Sequence, residues 1–219
     1  MIHSLKLNVL LGIFVGLLIG MNLLGAKIIT VLGVSVSVGI FMVPITFLIT
    51  DIVAEVFGKK IATQFLVSGV IALLMIFVYT WIFVQLSPNE RYTADEAYKT
   101  VFESSLRIII ASVVAFVFSQ FHDIVAFEWW KTKTKGKMLW LRNNMSTFIS
   151  QAIDTFIFMM LAFYQMTPKF DFGFVMRLAI PFYIFKLVFA VIDTPFVYLG
   201  VRWLRPELEK VRSDGEYEK

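Results

Sequence analysis

Thr147, Ser150, Gln151 and Asp154 recur at the spacing of one helix face inside an apolar run, which predicts a polar stripe turned toward a helical interior. If that run starts near Asn143, Asp154 lies roughly 16 Å along it, close to the middle of a bilayer. A carboxylate at that depth costs several kcal/mol unless it meets water, a cavity or a cation. Hydroxyls alone read as hydrogen-bonding glue between helices; Gln151 with Asp154 reads as a substrate site. Lys186, in the apolar run Pro181 to Lys186, needs a carboxylate or polar ligand if it is buried. Asp154, across a helix interface, is one candidate partner, and Asp193, two turns further along the same face, is the other. A Lys-Asp pair of this kind reads equally well as a structural ion pair or as binding chemistry.

Further polar residues punctuate the other apolar runs. Arg107 stands toward one end of its run and Ser119, Gln120, His122 and Asp123 toward the other. Arg107 can snorkel to the surface. Gln120 and Asp123, one turn apart, can line an inner vestibule or pair with the lysines that follow. His122 reads as a satisfied polar residue. Asp51 and Glu55 share a face, and Glu55 with Lys59 forms a favourable pair four residues apart. That pairing explains Glu55 but not Asp51, which sits among Thr46 and Thr50. Asn22 is a further binding candidate. Gly12, Gly16 and Gly20 flatten one helix face, suited to packing within the bundle or against another copy or an ATPase module. With two histidines and no cysteine, no metal centre, disulfide or Cys nucleophile is expected, and no cofactor.

The elements that must position these side chains follow from composition. The chain has 219 residues, 58% hydrophobic and only 16% charged, with a mean hydropathy of +0.79; soluble domains carry about 25% charged residues. This excludes a soluble enzyme and predicts an all-α integral membrane protein, one domain over residues 1–219. Six spanning helices are expected, over Leu7–Ile29, Gly39–Phe57, Ile61–Leu86, Ser105–Phe127, Asn143–Gln165 and Leu178–Leu204. Lys131, Lys133, Lys135, Lys137 and Arg142 put the fourth connection in the cytoplasm by the positive-inside rule, and alternation then puts both termini there too. Trp129, Trp130 and Trp140 read as an interface belt. Residues 87–104 are expected to form an external connection with a short interfacial helix, and the charged tail after about Pro206 to fray. The net charge of +4 is accounted for by these loops, so no nucleic-acid partner is expected. Short echoes, such as Ser119-Gln120-x-x-Asp123 with Ser150-Gln151-x-x-Asp154, hint at two related three-helix halves.

The run Asn22 to Lys27, the segment Pro44 to Gly58, Arg107 with Ser119-Gln120-x-x-Asp123, Leu141-Arg-Asn143 leading to Gln151-x-x-Asp154, and finally Lys186 together resemble the queuosine precursor transporter family, also called the vitamin uptake transporters. The resemblance implies a multi-pass prokaryotic inner-membrane protein of six helices. It also implies import of 7-deazaguanines such as 7-cyano-7-deazaguanine, and a distant likeness to the substrate-binding subunits of energy-coupling-factor transporters. The family positions carried over are Asp51, Arg107, Gln120, Asp123, Asn143, Gln151, Asp154 and Lys186. Independently of the family, a carboxylate can accept two parallel hydrogen bonds from the N–H and amine edge of a purine-like base, while Lys, Gln or Asn donates to its carbonyl. The rival reading is a substrate-capture subunit energised by a separate ATPase, since the chain has no Walker motif. An intramembrane enzyme ranks below both, because no catalytic arrangement is recognisable.

Overall fold

A computed structural model describes residues 4–133, 139–192 and 194–213; the side chains of Gln120, Asp123, Asn143 and Thr147, and all of Asp193, lie outside the described residues. Helix α1 (Leu5–Leu24) opens on Ser4, whose hydroxyl accepts from the Leu7 N–H at 3.4 Å, an N-cap that satisfies one orphan donor. Strands β1 (Ile28–Val31) and β2 (Val34–Ser37) follow, then a short 3-10 turn (Val38–Phe41) and α2 (Val43–Phe57). Next come α3 (Lys59–Gln85), α4 (Asp95–Lys133), α5 (Leu139–Phe163), α6 (Phe172–Ile192) and α7 (Thr194–Ser213). Among the described residues, five helices are long and apolar enough to cross a bilayer: α1, α2 with its preceding turn, α3, α4 and α6. In α5 the described apolar part, Phe148–Phe163, is shorter.

The structure is consistent with the expected all-α membrane protein, while several expected details change. The first span stops at Leu24 rather than Ile29. Residues 28–37 form an antiparallel hairpin with Ile28 opposite Ser37 and Val31 opposite Val34. The β-branched residues Ile28 to Val31, and Val34 and Val36 beyond Gly33, are a strand signal that apolar-run counting hides. Both turn residues have positive φ, 50° at Leu32 and 81° at Gly33; for leucine this costs about 1–2 kcal/mol. The expected interfacial helix is instead the start of α4, whose 39 residues extend about 58 Å, beyond the hydrocarbon at its ends. The expected sixth span, Leu178–Leu204, falls on α6 and the start of α7, on either side of Asp193, which lies outside the described residues.

The charged tail after Pro206 is helical as far as Ser213. Its apolar side explains this: Leu204 and Leu208 are 0% and 9% exposed and join Leu7, Ile52, Val53, Phe57, Ile61 and Phe65 in one cluster. Gly200 allows α7 to approach α2, since a Cβ there would lie 2.1 Å from Ile52 Cδ1. Gly58, at φ 82°, makes the sharp corner between α2 and α3 that a residue with a Cβ resists. Gly12 and Gly16 face open space, with no atom within 4 Å of a built Cβ, so they do not pack the bundle; Gly20 meets Met42.

A polar clasp closes the α1–α7 contact. Ser4 Oγ donates to Glu207 Oε2 at 3.1 Å, and Lys6 Nζ lies 3.3 Å from Glu207 Oε1 and 5.0 Å from the Trp203 ring centroid. The Ser4 hydroxyl, and then the Lys6 ammonium, hold the Glu207 carboxyl below its ordinary range. A depressed carboxylate contributes stability above its unfolded pKa and loses it as pH falls through the folded value. The clasp is therefore expected to survive mild acidification and open only below the usual glutamate range. Ser4→Ala should move that opening to higher pH, and carboxyl NMR of labelled Glu207 measures both.

Candidate functional site

The helices enclose a cavity of about 360 Å³, within the size range of small-molecule sites. Its walls are mostly apolar, and its polar groups come from distant parts of the chain. Asn22 comes from α1, Ser37 from the end of β2, Thr46 and Thr50 from α2, Ser112 and Ser119 from α4, Gln151 and Asp154 from α5, and Lys186 from α6.

Lys186 Nζ donates to Asp154 Oδ2 at 2.6 Å. The side chains are 7% and 24% exposed, so the lysine is the sequestered partner and the carboxylate the one accessible to a ligand. Of the two carboxylates weighed for Lys186, Asp154 is in contact with it, and Asp193 lies outside the described residues. Lys186 Nζ also sits 5.2 Å from the Phe182 centroid, a cation-π distance. An ion pair so placed keeps spare capacity: the ammonium has two more N–H donors and the carboxylate several free lone pairs. Gln151, one turn before Asp154, has a buried Oε1 with no donor among the described residues. A buried acceptor left unpaired costs about 1–3 kcal/mol, and this one belongs to a cavity-lining side chain.

A second polar group comes from α1 and α4. Asn22, only 1% exposed, donates from Nδ2 to the Leu18 carbonyl at 2.8 Å and accepts at Oδ1 from Ser112 Oγ at 2.6 Å. The bonds fix the amide plane in the wall. Thr46 and Thr50 return their hydroxyls to carbonyls of α2 itself, which lowers the cost of polar groups in an apolar wall. Phe158 and Phe182, 6.1 Å apart and inclined by 28°, line the cavity with Phe14, Phe47 and Phe116. Ser37 reaches the rim by bonding the Gly25 carbonyl at 2.6 Å, and the crossing is tight: a Cβ on Gly39 would lie 3.0 Å from the Met21 carbonyl oxygen.

The expected site residues divide as follows. Asn22, Gln151, Asp154 and Lys186 share the cavity. Arg107 is not in its wall; its guanidinium donates to the Leu161 carbonyl at 2.7 Å and to that of Tyr164, holding the end of α5 where free carbonyls favour a cation. Asp51 is exposed on α2, away from the cavity lining. The side chains of Gln120, Asp123 and Asn143 lie outside the described residues. His122 Nδ1 is 3.0 Å from Ser150 Oγ, the satisfied role expected of it. Ser112, Ser37 and the Phe158–Phe182 pair were not singled out from sequence; a serine or phenylalanine in an apolar helix carries no local signal of which face meets a cavity.

Comparisons with known proteins agree with this picture. The family described as "Putative vitamin uptake transporter" matches residues 37–200. A protein of Bacillus subtilis (strain 168) named "Probable queuosine precursor transporter" is 28% identical over 184 residues, covering 84% of this chain and 79% of the relative. The "Queuosine precursor transporter" of Escherichia coli (strain K12) is 27% identical over 165 residues, covering 75% and 72%. No solved structure matches the chain. The apolar helices and these relatives make the protein a multi-pass inner-membrane transporter. With the family match over residues 37–200, and a largely apolar cavity carrying a few polar groups among its helices, the chain belongs to the vitamin uptake transporter family.

Proposed function

We propose that the chain imports 7-deazaguanine precursors of queuosine, with 7-cyano-7-deazaguanine as the representative ligand. The observation that carries this reading is the Lys186–Asp154 pair beside the Gln151 carbonyl, unpaired among the described residues, in a phenylalanine-walled cavity. Asp154 accepts from the N–H and amine edge of the base, Lys186 donates to its carbonyl, and Gln151 Oε1 takes a remaining N–H. Phenylalanine rings cover the faces of the planar base. The names of the relatives, queuosine precursor transporters, support a queuosine precursor as the class of substrate. In this reading α5 completes six passes, both termini face the cytoplasm, and the cavity opens alternately to the two sides. The test is equilibrium binding of 7-cyano-7-deazaguanine to purified protein beside guanine and biotin, with uptake in cells that cannot make the precursor. Binding and rescue are expected; absence of deazaguanine binding would withdraw the substrate assignment and leave the transporter fold standing.

A further inference from the structure

The tip of the β1–β2 hairpin is built for something other than water. Val31, Leu32 and Val34 are all exposed, Leu32 by 99%. Leu32 also occupies the left-handed region, where two-residue turns favour Asn, Asp or Gly. In water that choice is unfavourable twice, through conformation and through hydration of apolar surface. No charged residue occurs between Lys27 and Asp51. Leu24 at the end of α1, and Phe41 and Ile45 beside the start of α2, are exposed as well, so the apolar surface of two spanning helices continues into the hairpin. The hydrocarbon centre is forbidden to it, because each outer edge of a two-stranded sheet carries unpaired N–H and C=O groups. What remains is the boundary layer, where apolar side chains sink roughly 5–10 Å while backbone groups meet headgroups and water.

We infer that Val31 to Val34 form a lipid anchor, inserted among phospholipid headgroups and the first acyl carbons. The same hairpin ends at Ser37, which lines the cavity together with Gly39. Its tip is thus held by lipid while its base forms cavity wall. The chain has no cysteine, so single spin labels can be placed without background, using Leu32→Cys and, independently, Val34→Cys in full-length protein in phospholipid nanodiscs. Val78→Cys on the exposed side of α3 marks the acyl region and Arg91→Cys in the α3–α4 connection marks water. Labels at 32 and 34 are expected to shift toward oxygen and away from a water-soluble nickel complex, to values between those two markers. Nickel accessibility equal to that at Arg91 would overturn the anchor in favour of a water-exposed loop. Dipolar broadening between labels would overturn it in favour of contact with a second copy.

Discussion

Asp154→Asn and Lys186→Met, each alone, are expected to abolish deazaguanine uptake and to lower thermal stability markedly. Lys186 is 7% exposed and its ammonium lies 2.6 Å from Asp154, so removing the acid leaves a buried cation with no ionic partner among the described residues. Breaking one side of a buried pair typically costs ~3–5 kcal/mol; the 24% exposure of Asp154 places this pair toward the lower end. The double substitution Asp154→Leu with Lys186→Met behaves differently, because replacing both ions with apolar groups is often neutral or stabilising. It is expected to regain most of the lost stability and none of the uptake. Thermal unfolding in detergent and uptake into vesicles measure the two separately. A double variant that transports at the wild-type rate would reduce the pair to a structural contact.

Gln151→Leu is expected to move stability and binding in opposite directions. In the wild type the buried Oε1 has no donor among the described residues, a cost of about 1–3 kcal/mol that an apolar replacement removes. In the proposed binding mode the ligand supplies that donor, so the same substitution forfeits a hydrogen bond on binding and should weaken affinity by roughly tenfold, near 1.4 kcal/mol. A residue placed only to hold helices together would lose stability when truncated. A raised Tm with weakened deazaguanine binding is the expected result; a lowered Tm with unchanged binding would remove Gln151 from the site.

Much of this protein follows from local rules. The spans α1, α3 and α6 are apolar stretches of bilayer length, and Gln151 and Asp154 sit in the shorter apolar stretch Phe148–Phe163. Another feature was written locally but hidden by the apolar background: the alternation Val34-Ser-Val-Ser37 behind Gly33 is a strand pattern. Apolar-run counting reads it as oil, since a β-branched strand and a spanning helix have the same hydropathy.

Pairing across the fold has no local signature. Sequence spacing allowed Lys186 either Asp154 or Asp193, and the α5–α6 packing brings Asp154 to it. Asn22 and Ser112 are 90 residues apart in sequence, and their bond depends on how α1 meets α4. Arg107 had the residue type of a ligand-binding group, yet its distance to the α5 terminus makes it a cap. Asp51 carries the same charge as Asp154 but lies on an exposed part of α2. The sequence by itself determined that this chain spans a membrane and that ionisable groups lie at depth, because both follow from transfer energies of individual residues. Which of those groups share one cavity was decided only by the tertiary structure, because contact depends on helix rotation and crossing, which hydropathy does not encode.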